Sequence, residues 1–214
     1  MYDIVLFDLD GTLTDPGEGI TNSVAYSLAH FGISTPAKKD LYKFIGPPLK
    51  DSYAKYYGMN DEQCEKAVEQ YRVYFKDKGI FENVVYENTE YVLKELKKHG
   101  KKIILATSKP EEFAIRILKH FNLFEYFDAV GGASMDGTRS KKGDVIKYAL
   151  EKGGITDTKN AVMVGDRKHD VLGANENGID SVGVIYGYGS FEELSDAGAT
   201  YVFDKITDIL NIIL

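Results

Sequence analysis

Residues 4–15 read IVLFDLDGTLTD, and this stretch decides the fold. Its apolar opening is typical of a β-strand buried on both faces, as in a parallel sheet. Because side chains alternate along a strand, Asp8 and Asp10 are expected on the same side of it. Two carboxylates held there repel each other, so a cation must bind them or one must carry a proton. Gly11 allows the chain to turn away sharply after the pair.

Five further short apolar runs have the same character. They lie at 102–106, 128–130, 161–164, 181–184 and 200–203, and segments with helical periodicity separate most of them. Strands that alternate with helices predict an α/β fold with a doubly wound, mostly parallel, Rossmann-like sheet.

One long stretch interrupts the alternation. Residues 15–85 show helical periodicity and no strand candidate, with Val24, Leu28 and Phe31 on one stripe. We therefore expect an all-helical domain over 15–85, inserted into an α/β core domain made of 1–14 and 86–214.

Composition and charge argue against several classes of protein. The chain has 214 residues and a net charge of −7, which argues against a nucleic-acid partner because phosphate backbones need a basic face. No apolar run approaches the ~20 residues that span a bilayer, and the early aspartates are unlike a signal peptide, so we expect no membrane association. Cys64 is the single cysteine and cannot form an internal disulfide, which favours a reducing cytoplasm. We expect a monomer, because the sheet and the helical domain account for the apolar pattern.

A second pair of carboxylates follows a later apolar run. Asp166 comes after the run at 161–164, and Asp170 lies one helical turn further on. Taken alone, the two would be explained as a helix cap and a solvated side chain. In an open parallel sheet, however, residues at the carboxyl ends of the strands meet in one crevice, which places them near Asp8 and Asp10. Carboxylate oxygens suit a hard cation, so the cluster predicts a Mg²⁺ site.

Two further segments complete a phosphate site. Thr107 and Ser108 follow the run at 102–106 and are expected to open a helix, where hydroxyls and free backbone N–H groups bind phosphate oxygens. Lys142 begins another predicted helix, where the helix dipole disfavours a cation that has no anionic partner. Lys141 is the alternative to Lys142 in this role.

These segments, in this order, resemble the four motifs of the haloacid dehalogenase-like hydrolase superfamily. The segments that match are Asp8-Leu9-Asp10-Gly11-Thr12-Leu13, Thr107-Ser108, Lys142, and Gly165-Asp166 with Asp170. Residues 15–85 resemble the α-helical cap of its phosphoglycolate phosphatase-like branch, and so does the segment FIGPPL at 44–49. The resemblance implies a Mg²⁺-dependent phosphatase that acts on a small phosphorylated metabolite.

The resemblance also implies how the reaction would run. Asp8 would attack phosphorus and form an aspartyl-phosphate, while Asp10 would act first as an acid and then as a base. Thr107, Ser108 and Lys142 would bind the phosphoryl group.

The implied metal site uses the same acidic cluster. Mg²⁺ would lie between the Asp8 carboxylate, the Asp10 carbonyl, Asp166 and the phosphate. Asp170 would hold Lys142 or a metal-bound water from outside the ligand set.

Several activities remain open within this family. A phosphomutase would return the phosphoryl group to its substrate, and a phosphonatase would use a cap lysine to form a Schiff base. Pyrophosphate, phosphoglycolate and nucleoside 5′-monophosphates are all substrates of similar proteins, and cap residues decide between them. Lys50, which follows the Gly-Pro-Pro segment at 46–48, is our candidate for a substrate-facing cation. A receiver-type signalling domain is an alternative outside this family, but it has no helical insert.

Overall fold

The structure of the protein is a computed structural model that describes residues 2–214, in which strands and helices alternate. The strands are β1 (Ile4–Phe7), β2 (Thr14–Asp15), β3 (Val84–Val85), β4 (Lys102–Pro110), β5 (Ala129–Ala133), β6 (Ala161–Gly165), β7 (Asp180–Val184) and β8 (Tyr201–Phe203). The α-helices are α1 (Gly17–His30), α2 (Lys38–Leu41), α3 (Leu49–Tyr57), α4 (Asp61–Tyr74), α5 (Thr89–Lys98), α6 (Glu111–His120), α7 (Lys142–Lys152), α8 (Lys168–Glu176), α9 (Phe191–Asp196) and α10 (Leu210–Ile213). Short 3₁₀ turns lie at Tyr42–Phe44, Phe124–Tyr126 and Ile206–Ile209, and a π-helical turn lies at Phe75–Gly79.

Six of the strands form one sheet, with β1 near its centre. The order is β5-β4-β1-β6-β7-β8, and each neighbouring pair is parallel. The predicted α/β fold with a doubly wound, Rossmann-like sheet is therefore confirmed. Phe7 at the end of β1 is aligned with Leu105 in β4 and with Val164 in β6. The segments that follow these three strands consequently meet at one edge of the sheet.

Both faces of the sheet are buried, which explains the continuous apolar runs in the sequence. Leu6 belongs to a core cluster that includes Ile104 of β4, Met163 of β6 and Ile146 of α7. Its neighbours along β1 point to the opposite face and are also fully buried. Each large side chain buried in this way contributes about 1.5–3 kcal/mol, so the central strand anchors the fold.

The chain divides into two compact units. The first contains the large sheet and comprises the chain up to Thr14 and from Val85 to Leu214, and the second comprises Asp15–Val84. The sequence analysis placed the second boundary after residue 85, whereas Val85 belongs to the first unit. Strands β2 and β3 pair as a separate two-stranded sheet. The role of the second unit as a cap stays a prediction.

The second unit is built from helices between residues 17 and 79. Ser27 of α1 donates a hydrogen bond to the carbonyl of Ala67 in α4, at 2.7 Å. Helix α4 begins with a capping box between Asn60 and Gln63, which satisfies two backbone N–H groups at the helix start. The internal contacts of these helices give the unit a core of its own, in which Tyr53 is fully buried.

One local prediction was wrong. Thr107 and Ser108 lie in the last part of β4 instead of opening a helix, and α6 begins only at Glu111. Pro110 is the cause, because it is extended at φ −51° and ψ 130° and the residue before a proline is driven out of the helical region. The register of β4 against β5 also shifts between Thr107 and Pro110, which marks a bulge at the end of the strand.

Candidate active site

Asp8 lies directly after β1, at the edge where the central strands end. Its backbone N–H donates to the carbonyl of Val164 at 2.9 Å, which extends the parallel pairing by one residue. The carboxylate is buried. An isolated buried carboxylate would be strongly disfavoured, so its charge requires a partner.

Lys142 supplies that partner from the first turn of α7. Its Nζ lies 2.8 Å from Asp8 Oδ1 and 2.6 Å from Asp170 Oδ1. Burial by itself would lower the pKa of Lys142, but Asp170 and Asp8 outweigh it and raise the pKa above its ordinary value. The two carboxylates also account for a lysine at a helix start, where the dipole disfavours it. Lys141, the alternative in the sequence, is exposed.

Asp166 follows β6 and is fully buried. Its Oδ2 accepts a hydrogen bond from the backbone N–H of Tyr188 at 2.7 Å, and its Oδ1 accepts one from the Thr12 hydroxyl at 3.4 Å. Burial raises the pKa of Asp166 well above its ordinary value, and the charges of Asp170 and Asp8 act in the same direction. A cation at this point would relieve the repulsion.

Asp170 is engaged through both of its oxygens. Oδ1 is paired with Lys142, and Oδ2 accepts the backbone N–H of Arg167 at 3.0 Å. Burial raises the pKa of Asp170 to about 6, although Lys142 opposes the shift. Because its oxygens are already occupied, this carboxylate is better placed to orient Lys142 than to bind a ligand directly.

The acidic cluster fits a divalent cation. Asp8, Asp166 and Asp170 each offer a carboxylate oxygen, and these atoms lie within 4.8 Å of one another. With Asp10, the site holds four buried carboxyl groups and two buried lysines, Lys109 and Lys142, so the acidic groups outnumber the cations. An all-oxygen set of this kind suits Mg²⁺. The side chain of Asp10 is not in the group, and its carbonyl as a ligand stays a prediction.

The sequence analysis missed Lys109, which pairs with Asp10. The Lys109 Nζ lies 2.8 Å from Asp10 Oδ2, and both side chains are buried. Burial raises the pKa of Asp10 above its ordinary value, against the opposing effect of Lys109. Thr107, two residues before Lys109 in the sequence, is also buried, and Ser108 is half-buried. The available signal was a lysine immediately before Pro110 at the end of an apolar strand.

A glycine-rich loop after β7 covers Gly11 and Asp166. The Tyr186 hydroxyl donates to the carbonyl of Thr12 at 2.7 Å. A side chain at Gly187 would collide with the carbonyl of Gly11, and one at Gly189 would collide with that of Asp166. From the sequence alone, Gly187-Tyr188-Gly189-Ser190 predicts only a flexible turn, because a short glycine pattern is a weak signal.

Gly11 itself is required by the same crowding. It has a φ of +88°, a left-handed conformation that favours glycine, and a side chain there would strike the Asp166 carboxylate. The turn after Asp10 therefore brings the first and last acidic segments into contact.

Lys50, the predicted substrate-facing cation, lies in the helical unit. It is exposed and forms an ion pair with Glu65 at 2.9 Å. Its role toward a substrate stays a prediction.

Comparison with known proteins identifies the family. Residues 5–184 match the model of the family described as haloacid dehalogenase-like hydrolase. The chain belongs to this family. The haloacid dehalogenase-like fold, the family and the enzyme class that the sequence predicted are confirmed, and this hydrolase has phosphatases among its relatives.

Three relatives illustrate the range of the family. A 5′-nucleotidase of Pseudomonas aeruginosa is 44% identical over 193 residues, covering 90% of this chain and 87% of that protein. The pyrophosphatase PpaX of Bacillus velezensis is 33% identical, covering 97% of this chain and 94% of that protein. The crystal structure of a predicted phosphatase from Clostridium acetobutylicum is 50% identical, with a TM-score of 0.96, and covers 100% of this chain and 98% of that one.

The lengths and compositions of the helices also bear on membrane insertion. Among residues 2–214, we find no helix that is both long and apolar enough to cross a bilayer.

Proposed function

We propose that this haloacid dehalogenase-like hydrolase cleaves the phosphate monoester of a small metabolite by way of an aspartyl-phosphate on Asp8. The observation that carries the proposal is the buried contact of Lys142 with Asp8, beside Asp166. A carboxylate held by a lysine and close to further carboxylates is suited to attack a phosphoryl group that a cation has neutralised.

In the first half-reaction, a carboxylate oxygen of Asp8 forms a bond to phosphorus. The bond from phosphorus to the leaving-group oxygen breaks, and its electron pair stays on that oxygen. Asp10, in its protonated form, gives its proton to the same oxygen. Burial favours that protonated form, because it raises the pKa of Asp10.

In the second half-reaction, Asp10 takes a proton from water, and the water oxygen attacks phosphorus. The acyl-phosphate bond breaks and returns the electron pair to Asp8, which releases inorganic phosphate. One residue can serve both steps because the proton it loses in the first is regained in the second.

The remaining residues bind and orient. We assign the phosphoryl oxygens to Thr107, Ser108 and Lys142, and we assign Mg²⁺ to Asp8, Asp166 and the carbonyl of Asp10. When bound, Mg²⁺ supplies positive charge that lowers the repulsion between an anionic nucleophile and an anionic phosphate. Asp170 holds Lys142 in place.

We propose nucleoside 5′-monophosphates as the first substrate class to test, with pyrophosphate second. The 5′-nucleotidase of Pseudomonas aeruginosa supports the first, and the pyrophosphatase PpaX supports the second. Phosphoglycolate and a phosphomutase reaction stay as alternatives from the sequence. We further propose that the helical unit acts as a cap, that Lys50 contacts the substrate, and that the enzyme is a cytoplasmic monomer.

The test is a panel of phosphorylated metabolites assayed for phosphate release, with Mg²⁺ and with EDTA. We expect one substrate class to be hydrolysed with Mg²⁺ and none with EDTA. Asp8→Asn should lose turnover by several orders of magnitude, whereas Asp144→Asn, at an exposed position of α7, should not. Turnover by Asp8→Asn close to that of the wild type would refute the assignment of the nucleophile.

A further inference from the structure

Lys109 is a buried cation to which the proposed reaction assigns no role. Its side chain is 5% exposed, and its Nζ is 2.8 Å from Asp10 Oδ2. Lys142 already contacts Asp8 and Asp170. The two buried lysines therefore pair with different carboxylates, and Lys109 pairs with Asp10, which is proposed to carry the proton.

The backbone is shaped to bring Lys109 to this position. Thr107 is aligned with Gly132 and Pro110 with Ala133, so that Ser108 and Lys109 are extra residues on β4. Such bulges redirect side chains and are frequent beside active sites. The backbone N–H of Lys109 donates to the Thr107 hydroxyl at 3.2 Å, which ties the bulge to a proposed phosphate ligand.

The two oxygens of Asp10 differ in their surroundings. Oδ2 contacts Lys109, whereas Oδ1 is buried and accepts no hydrogen bond from the part of the chain that the structure describes. A carboxylate fixed at one oxygen cannot rotate freely about its χ angles. The other oxygen is then held in one direction, with no hydrogen-bond donor from the described residues against it.

We propose that Lys109 is a positioning residue, which holds Asp10 by Oδ2 so that Oδ1 faces the leaving-group oxygen of the substrate. The inference rests on the proposed function, in which Asp10 gives its proton to that oxygen as the phosphorus–oxygen bond breaks. Without the ammonium group, Asp10 loses the contact that fixes its orientation, and the proton is delivered less often.

The dependence of rate on the leaving group tests this role. An alkoxide such as that of adenosine must be protonated as it departs from adenosine 5′-monophosphate, whereas 4-nitrophenolate departs as a stable anion. The ratio kcat/KM reports this first cleavage and not the later hydrolysis. We expect Lys109→Met and Lys109→Gln to lose at least tenfold more kcat/KM on adenosine 5′-monophosphate than on 4-nitrophenyl phosphate, and Lys109→Arg to restore part of it.

Lys101 provides the matched control. It immediately precedes β4, its side chain is 8% exposed, and its Nζ lies 3.3 Å from Asp3 Oδ1. It is therefore also a buried lysine paired with an aspartate, but at the start of the strand and away from the proposed chemistry. Lys101→Met should leave the ratio of the two kcat/KM values unchanged, whatever it does to stability.

A double-mutant cycle separates positioning from a general loss of structure. Because Lys109 acts through Asp10, Lys109→Met should add less than twofold to the loss already caused by Asp10→Asn. Equal losses on both substrates, or a full additional loss in the Asp10→Asn background, would overturn the role of Lys109. If the wild type hydrolyses neither substrate nor any other phosphate ester, the proposed function fails as well. If the wild type is active but both Lys109 variants keep its ratio of kcat/KM on the two substrates, the positioning role is overturned and the proposed function stands.

Discussion

The sharpest test of the site is the replacement of Lys142 by methionine, which keeps all but the last atom of the side chain's length and removes its charge. The ammonium group lies 2.8 Å from Asp8 and 2.6 Å from Asp170, and its side chain is only 4% exposed. Removing one partner of a buried ion pair typically destabilises a protein by about 3–5 kcal/mol. We expect a loss of that size for Lys142→Met in urea denaturation without added metal.

The catalytic effect is expected to be of similar size. A unit charge about 4 Å from a phosphoryl charge contributes ~4 kcal/mol at an effective dielectric constant of about 20. Loss of that interaction from the transition state lowers kcat/KM by about 10³-fold. The assay is phosphate release from the best substrate of the panel, under conditions where the variant is folded.

Lys141→Met is the matched control, because Lys141 is the adjacent residue and is exposed. It should change kcat/KM by less than threefold and stability by no more than about 0.5 kcal/mol, as for most surface substitutions. The reasoning is refuted if Lys142→Met stays within threefold of the wild type, or if Lys141→Met shows the larger loss.

Three further predictions concern metal, loop and sheet. Mg²⁺ at 100 times its dissociation constant should raise the free energy of unfolding by about 2.7 kcal/mol, and EDTA should reverse the increase. An unfolding midpoint that does not change with Mg²⁺ would contradict a bound ion. Gly187→Ala should weaken Mg²⁺ binding about tenfold, or by ~1.4 kcal/mol, because the new side chain would push against Asp166. Calorimetry measures this affinity, and an unchanged value would show that the loop does not hold Asp166 in place. Asp128→Ala should cost about 1 kcal/mol, because Asp128 accepts the Ile103 N–H at 2.8 Å and pairs with Lys97 at 2.8 Å near the surface. Burial acts to raise the pKa of Asp128, but these contacts outweigh it and hold the pKa below its ordinary value. The loss of stability in Asp128→Ala should therefore be full above about pH 4 and shrink as the pH falls through the pKa of the folded state. A loss that grows in acid would contradict this.

The sheet could be predicted because its physical basis is local. A strand buried on both faces has to be a short apolar run, and residues 4–7, 102–106 and 161–164 have that form. The positions of Asp8 and Asp166 followed from the rule that strand ends meet at one edge of a parallel sheet.

The contact of Lys109 with Asp10 could not be predicted in the same way. It depends on a bulge of two residues in β4, and periodicity does not reveal a shift in strand register.

The loop after β7 was underestimated for a similar reason. Gly187 and Gly189 are needed because the backbone of Gly11 or Asp166 lies against them. That crowding arises from residues far away in the sequence, so the local pattern contains no sign of it.

The central place of β1 in the sheet has a consequence for how the chain folds during its synthesis. Asp8 leaves the ribosome well before the neighbours of its strand, β4 and β6, and before Lys142. Until then the nascent chain holds an acidic segment with no counter-charge and a strand with no flanking partners. We therefore expect activity to appear only late in synthesis, once the segment through Gly189, whose loop contacts Asp166, is free to fold.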